Sequence, residues 1–238
     1  MNPWKRREVI GNATLYLGDC LEILPALALP EKPAVISDPP YGIAHRHSGC
    51  GNGMHTRRNT MPLHGDDAPF DPSPWLHFEN VLLWGADHFS ERLPHGRWLA
   101  WDKLDGMDSW DTFSDVEFAW HSQRGAARIF KRKWKGIACI KAGEGYGVRC
   151  HPTQKPIALM QWSIEQAGRP QMVIDPYMGS GTTGEACMRI RSRFIGIEIE
   201  PRYFDIACSR IENAQRQSKL FDDENLQTLR PEQANISL

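Results

Sequence analysis

The stretch S-D-P-P-Y-G-I at residues 37–43 carries the residue types with the clearest chemistry in this chain. Two prolines cannot lie inside a strand, so the motif must follow the apolar run before it. The Asp38 carboxylate can accept one N–H hydrogen bond, and the Pro39 carbonyl can accept another. Pro39 and Pro40 fix the backbone, so both acceptors are set in advance, and Tyr41 adds an aromatic face. The residues alone leave two interpretations open, a tight turn or the wall of an active site.

A second constellation, G-x-G-x-x-G, is formed by Gly179, Gly181 and Gly184. It follows an apolar run typical of a buried strand and opens a helical pattern, and Glu198 ends the next predicted strand. Glycines let the backbone approach a ligand, and a carboxylate at the second strand end can accept both hydroxyls of a ribose. The pattern predicts a nucleotide-like cofactor, while a plain strand–turn–helix corner stays open as the simpler interpretation.

The residues around the glycines favour S-adenosylmethionine over NAD. Asp175 and Pro176 precede the glycines, and an acid there would repel a pyrophosphate but suit a cationic amino-acid moiety. The hydroxyls of Ser180, Thr182 and Thr183 can bind a methionyl carboxylate. A Walker-type phosphate loop is excluded, because no lysine follows the second glycine.

The order of apolar runs and helical patterns predicts an α/β fold with a largely parallel, doubly wound sheet. Strands are predicted at 14–17, 34–37, 80–84, 97–101, 116–120, 172–175 and 193–198, and helices at 20–27, 156–167, 182–191 and 201–214.

Composition limits the function classes. The 238 residues are 41% apolar and carry a net charge of −1, so no global field steers the protein onto a polyanion. The six cysteines form no C-x-x-C, which favours reduced thiols. No apolar leader or membrane span is visible, so we expect a soluble intracellular protein.

Together the motifs resemble the two signatures of amino-group DNA methyltransferases. Asp38–Tyr41 matches the catalytic motif and Asp175–Thr183 the cofactor motif. The catalytic motif comes first along the chain, which resembles the permuted beta class. Further matches are Gly18-Asp19-Cys20-Leu21, Trp84-Gly85-Ala86-Asp87, Trp101-Asp102-Lys103 and His151–Pro156. The resemblance covers nearly all of residues 14–213 and implies a circularly permuted, Rossmann-like methyltransferase fold.

The resemblance implies S-adenosyl-L-methionine as the cofactor and N6 of a flipped-out adenine in double-stranded DNA as the target. An aspartate-first motif is typical of N6-adenine enzymes and a serine-first motif of N4-cytosine enzymes, whereas the residues alone do not separate the two amines. By position, Asp19 matches the acid that binds the cofactor's adenine amine, and Glu198 matches the ribose ligand. Lys155 matches a residue near the methionine end, and Cys20 is included in the cofactor site.

The implied chemistry explains the residue types of the catalytic motif. A base amine is a poor nucleophile, because its lone pair is delocalised into the ring. It must be held in line with the methylsulfonium and drawn toward a tetrahedral nitrogen. Asp38 and the Pro39 carbonyl accept its two N–H groups, and Tyr41 stacks on the extruded base. Asp38 need not be a full general base, since the proton can leave late, to Asp38 or to water.

Two basic segments are predicted to contact DNA. The run 124–136 interleaves basic and aromatic residues and contains no acid, and the loop 45–59 directly follows the catalytic motif. The predicted DNA-binding residues are Arg46, Arg57, Arg58, Arg128, Lys131, Arg132, Lys133 and Lys135. The histidines and cysteine of the loop match no standard zinc spacing, so no metal site is predicted.

We assign residues 1–214 to the methyltransferase domain, with a DNA-recognition insertion near 104–150, and residues 215–238 to a polar C-terminal tail. Homodimers and cognate restriction enzymes occur in this class, and the sequence proves neither. The resemblance places the protein in the cytoplasm of a prokaryotic cell or in a phage-encoded system.

Three alternatives remain at this point. Within the class, the target is the N4 amine of cytosine. From another class, an NAD-dependent oxidoreductase would use the glycine motif but leave Asp38–Tyr41 unexplained. A DNA-binding module without activity would keep the fold, but the intact Asp38, Tyr41 and Gly179–Gly181 argue against it.

Overall fold

The computed structural model describes residues 2–29, 32–42, 65–106, 114–134 and 154–228, with side chains of the last helix described through residue 217. The strands are β1 (Arg6–Ile10), β2 (Ala13–Leu17), β3 (Ala34–Ser37), β4 (Asn80–Trp84), β5 (Arg97–Asp102), β6 (Val116–His121), β7 (Arg128–Lys131), β8 (Met172–Asp175) and β9 (Arg193–Glu198). The helices are α1 (Cys20–Ala26), α2 (Ile157–Gln166), α3 (Thr182–Ile190) and α4 (Pro201–Thr228), and a 3-10 helix covers Ala86–Arg92. Among the described residues, no helix is long and apolar enough to cross a membrane.

The strands described here form one sheet in the order β1-β2-β9-β8-β3-β4-β6-β5-β7. Five of its eight pairings are parallel, including the central run from β2 to β4, and the other three are antiparallel. The structure therefore confirms the predicted α/β fold with a mostly parallel sheet.

Side chains that alternate along the central strands fill two cores, one on each face of the sheet. Leu82 and Trp84 of β4 belong to the core that includes residues of α2, α3 and α4. Val81 and Leu83 belong to the core that includes residues of α1 and the 3-10 helix. Helical elements thus cover both faces, as the doubly wound prediction requires.

The position of the site follows from the strand order. The chain proceeds from β3 to β4 on one side and from β8 to β9 on the other, while β3 and β8 pair directly, with Ala34 opposite Val173. Ligands in open α/β sheets bind outside the carboxyl ends of the strands at such a reversal of order. Asp38 follows β3 and Asp175 ends β8, so both signature motifs meet at this point.

The most deeply buried tryptophans serve the core. Trp84 and Trp101 are at most 1% exposed and pack edge to face with ring centroids 6.5 Å apart. Trp84 Nε1 donates to Ser163 Oγ at 3.1 Å, and Trp101 Nε1 donates to the Arg132 carbonyl at 3.1 Å. Each of these two indole N–H groups therefore has a partner, as is usual for a buried tryptophan.

Three elements differ from the prediction. The charged β1 was not predicted, and its place at the edge of the sheet explains its polar residues. The basic β7 lies inside the predicted insertion and forms the opposite edge, parallel to β5. Helix α4 continues to Thr228, beyond the predicted end at 214, because no glycine or proline interrupts it after Pro201.

Candidate active site

Asp38 and Tyr41 meet where the chain leaves β3. The strand ends at Ser37, so both prolines of the motif lie outside the hydrogen-bonded ladder. The Tyr41 hydroxyl donates to Asp38 Oδ1. Lys155 Nζ lies 3.0 Å from the same carboxylate oxygen and 3.0 Å from the Tyr41 hydroxyl oxygen. The ammonium that was predicted near the cofactor therefore contacts the predicted catalytic carboxylate.

The electrostatics of this contact fix the charge of both groups. Burial raises the pKa of Asp38, and the Lys155 ammonium opposes that rise. Burial alone would lower the pKa of Lys155, but the carboxylates of Asp38 and Glu117 outweigh it and hold this pKa well above its ordinary value. Lys155 therefore stays protonated near neutral pH and can only donate hydrogen bonds.

Tyr41 is oriented by the W-G-A-D segment that follows β4. Its ring stacks on His88, with centroids 4.9 Å apart and an interplanar angle of 19°. Gly85 has φ +68°, and a Cβ at this position would lie 1.9 Å from Tyr41 Cε1. Only glycine satisfies both the backbone angle and the close approach, so Gly85 is required to place the aromatic ring.

Lys155 is positioned from both sides of its backbone. Trp134 is buried, and its Nε1 donates to the Gln154 carbonyl at 3.1 Å, immediately before the lysine. Pro156 follows and caps α2 with φ −62°, a value that proline fixes. The side chain is 6% exposed and also lies 2.9 Å from Glu117 Oε2, on β6.

The glycine motif lies beside the end of β9. Gly179 and Gly181 have φ values of +51° and +82°, which other residues rarely adopt. The Gly179 N–H donates to Glu198 Oε2 at 2.9 Å, and the Glu200 N–H donates to Oε1 at 2.8 Å. Burial raises the pKa of Glu198 to about 7. The predicted ribose ligand and the glycine motif are thus brought together.

The third glycine serves packing. A Cβ at Gly184 would lie 2.4 Å from Ile211 Cδ1 and 2.7 Å from the Phe194 ring. Its absence lets α3 rest directly on α4 and β9, the role that a third glycine has in this kind of motif.

Asp175 ties the two motifs together. Its Oδ1 accepts from Ser37 Oγ at 2.6 Å and from the Tyr177 N–H at 3.1 Å, and its Oδ2 accepts from Thr183 Oγ1 at 2.5 Å. Burial raises the pKa of Asp175 to about 6. Both carboxylate oxygens are therefore used to join β3, β8 and the start of α3.

Two other hydroxyls of the motif face a buried arginine. Arg210 of α4 donates through Nη1 to the Ser180 carbonyl at 2.8 Å, to Ser180 Oγ at 2.8 Å and to Thr182 Oγ1 at 3.3 Å. Its Nη2 bonds to Glu185 Oε2 at 3.0 Å. The hydroxyls predicted to bind a ligand carboxylate thus accept hydrogen bonds from the protein.

Comparison with known proteins identifies the domain. Residues 120–209 match the family model described as DNA methylase, of the N6/N4 methyltransferase type. A type II methyltransferase of Streptococcus pneumoniae, M2.DpnII, is 40% identical over 83 residues, which are 34% of this chain and 30% of the relative. The type II methyltransferase M.HinfI of Haemophilus influenzae is 39% identical over 66 residues, 27% of this chain and 18% of the relative. These matches support an amino-group DNA methyltransferase.

The sequence matches cover only part of this chain and of its relatives. The aligned segments span less than a third of either type II relative, and the family segment begins in β6, after Asp38–Tyr41. A solved structure, the cytosine-N4-specific PvuII DNA methyltransferase, covers 90% of this chain and 96% of its own with a TM-score of 0.54 and 16% identity. That likeness confirms the fold across the chain. The match of residues 120–209 to the DNA methylase model argues against an NAD-dependent oxidoreductase.

Asp19 and Cys20 lie just after the end of β2, where α1 begins. Asp19 caps α1, with Oδ1 accepting from the Leu21 N–H at 2.8 Å. Cys20 is buried, and desolvation raises the pKa of its thiol to about 12, so the thiol stays protonated at neutral pH. The Gly18 N–H donates to the Glu198 backbone carbonyl at 2.8 Å, which joins the ends of β2 and β9.

The predicted DNA contacts of the methylase domain divide into two groups. Arg128 and Lys131 are exposed on the edge strand β7, whereas Arg132 and Lys133 are partly buried and have partners within the protein. The remaining predicted contacts lie outside the described residues: Arg46, Arg57, Arg58 and Lys135.

Sequence reasoning missed Glu117, Arg210 and His88 as parts of the site. Glu117 interrupts the strand pattern V-E-F-A-W, and a charge in such a run is its only signal. Arg210 lies within a helical pattern that indicates a partly buried position. The pattern does not indicate which residue would pair with the arginine. His88 follows the quoted W-G-A-D segment, but only the positive φ of Gly85 brings it onto Tyr41.

Arg210→Met tests the link between α4 and the glycine motif. The change removes four hydrogen bonds to groups that stay buried, so we expect the free energy of unfolding to fall by about 1–3 kcal/mol. Arg216→Met on the same helix is the control, because the Arg216 side chain is 64% exposed and pairs with the exposed Glu212. Urea unfolding with equal stability for both variants would contradict the inferred role.

Proposed function

We propose that this chain is an S-adenosylmethionine-dependent DNA methyltransferase that methylates N6 of an extrahelical adenine. The observation that carries the proposal is the Asp38 carboxylate, held by Tyr41 and Lys155 beside the glycine motif and Glu198. A hydrogen-bond acceptor for an amine and a nucleotide-type cofactor site thus share one crevice.

The residues present fit the cofactor. The buried Glu198 carboxylate retains lone pairs for two ribose hydroxyls, and the glycines of the motif leave the backbone open to a ligand. Asp19, at the neighbouring strand end, is assigned to the adenine amine of the cofactor, with Cys20 beside it. When bound, S-adenosylmethionine supplies a methyl group activated by its sulfonium. The structure gives Asp175, Ser180, Thr182 and Thr183 internal partners, so we assign their polar groups to shaping the loop.

The reaction needs little acid–base chemistry from the protein. The target amine donates its two N–H groups to Asp38 and the Pro39 carbonyl, which localises its lone pair on nitrogen. Bound S-adenosylmethionine would supply the methyl group to this nitrogen and would leave as the neutral thioether, while Asp38 and the Pro39 carbonyl hold the amine in place. The extra proton on nitrogen then leaves to Asp38 or to water. Lys155 cannot take it, because its pKa is held high.

The base and its DNA are assigned by likeness and by charge. Asp38 stands first in the catalytic motif, which favours adenine. The second candidate is N4 of cytosine, the specificity named for the PvuII enzyme, which shares the fold. We assign double-stranded DNA to the crevice and to the exposed cations of β7. A homodimer, a cognate restriction enzyme and a prokaryotic cytoplasmic location stay predictions of the resemblance.

Mapping of modified bases tests the proposed function. The gene is expressed in a host that lacks DNA methylation, and the DNA is hydrolysed to nucleosides and sequenced for modified positions. We expect N6-methyladenine at a defined site. N4-methylcytosine alone would reject the adenine assignment, and DNA without either base would reject the proposed activity.

Asp38→Ala and Asp38→Asn test the catalytic carboxylate. Each change removes the charged acceptor of the target amine, so we expect methyl transfer to fall by at least about 100-fold. Cofactor affinity stays near the wild-type value, since Lys155 keeps its pair with Glu117. Tritiated-methyl transfer and calorimetry measure the two effects, with exposed Asp205→Asn on α4 as the control. Wild-type turnover by both variants would refute the assignment.

The raised pKa of Glu198 predicts pH-dependent cofactor binding. Below about pH 7 the carboxylate of the free protein is protonated, and above it the ionised form accepts both ribose hydroxyls more strongly. Cofactor binding therefore releases a proton, and affinity rises with pH by up to about tenfold between pH 6 and pH 8. Calorimetry on Glu198→Gln measures the part of the pH dependence of cofactor affinity that comes from the ligand or from Asp175. An equal slope in the variant would contradict this prediction.

A further inference from the structure

The ammonium of Lys155 has three short contacts on three different groups. Its Nζ lies 3.0 Å from Asp38 Oδ1, 3.0 Å from the Tyr41 hydroxyl and 2.9 Å from Glu117 Oε2. The contact with Tyr41 is a hydrogen bond, and the contacts with the two carboxylates are ion pairs. With its side chain 6% exposed, Lys155 is held in one place by its partners.

Glu117 supplies the contact that comes from outside the two signature motifs. It lies on β6, two strands from β3 in the sheet, and its side chain is 26% exposed. Its second oxygen, Oε1, lies 3.4 Å from Lys103 Nζ. Burial alone would raise the pKa of Glu117, but the ammonium groups of Lys155 and Lys103 bring it below the ordinary value. Glu117 is therefore ionised at neutral pH.

Lys155 is shared between two carboxylates, Asp38 and Glu117. An ammonium beside the reacting amine opposes the positive charge that develops on nitrogen. The second salt bridge, to Glu117, offsets the charge of this ammonium and holds it in place, and Lys103 in turn pairs with the other oxygen of Glu117.

We propose that Glu117 is a positioning residue for methyl transfer, which holds Lys155 against Asp38. This inference rests on the proposed function of the same site. Glu117 acts through Lys155 and does not itself touch the reacting atoms.

The proposal predicts a change in the pH profile. The charged and titratable groups that face Asp38 are Lys155, Glu117, Tyr41 and, from β8, Asp175. Among them Glu117 raises the pKa of Asp38 and Lys155 lowers it. Glu117→Gln removes the raising charge but also frees Lys155, whose lowering effect on the pKa of Asp38 is the larger, so the acid limb of the kcat profile moves to higher pH. On the plateau we expect kcat to fall about tenfold, because Lys155 is no longer held against Asp38.

The experiment compares Glu117→Gln, Glu117→Asp and Glu79→Gln. Glu79 is an exposed acid that pairs with Lys32 and, among the residues that the structure describes, contacts none of the groups around Lys155. Glu79→Gln is therefore expected to behave as wild type. Glu117→Asp keeps the charge and should restore the position of the acid limb. The KM values for DNA and cofactor stay within about twofold, since Glu117 contacts neither.

Lysine acylation followed by mass spectrometry gives a second readout that needs no methyl transfer. Lys155 is protected in the wild-type protein and in Glu117→Asp, and becomes reactive in Glu117→Gln. Unchanged kcat, an unshifted acid limb and continued protection of Lys155 in Glu117→Gln would each overturn the proposal. Wild-type protein that methylates no DNA would reject the proposed function instead, and the acylation result would still decide whether Glu117 holds Lys155.

Discussion

The parallel pairing of β3 with β8, fixed at its carboxyl end by the Asp175 carboxylate, is the constraint on which the site depends. Asp175 accepts from Ser37, from Thr183 and from its own turn, and so joins the last residue of one strand to the first helix after the other. The motifs they carry are far apart in sequence. One buried carboxylate with three donors therefore sets the spacing between the amine acceptor and the cofactor loop.

The same principle recurs around the crevice: buried polar groups hold loops that carry the chemistry. Arg210 fixes the glycine motif from α4, Glu198 accepts from Gly179, and Trp134 holds the backbone before Lys155. Each of these contacts gives a buried polar group a partner, and an unpaired polar group is costly in a low-dielectric site. Asp38 differs, since its partners are the hydroxyl of Tyr41 and the ammonium of Lys155 rather than a backbone group that holds a loop.

The sequence predicted the seven main strands, the sheet type and the two motifs. Hydrophobic periodicity, glycine placement and proline chemistry are local properties, so a short stretch of sequence is enough to recognise them. It did not predict β7. The segment R-I-F-K is too short and too basic to be identified as a strand until its pairing with β5 is known. It also assigned Lys155 to the cofactor, because motif position carries no information on where a long side chain ends. Glu117 and Arg210 were missed for the same reason. A buried ion pair forms only in the tertiary structure, and the sequence does not indicate which residue each member contacts.

The hydrogen bond from Trp134 to the Gln154 carbonyl joins two residues that are 20 positions apart in the sequence. Trp134 follows β7 and Gln154 precedes α2, so this bond couples the edge of the sheet to the start of a helix. Lys155 therefore keeps its register with Asp38 whichever residues stand between the two ends.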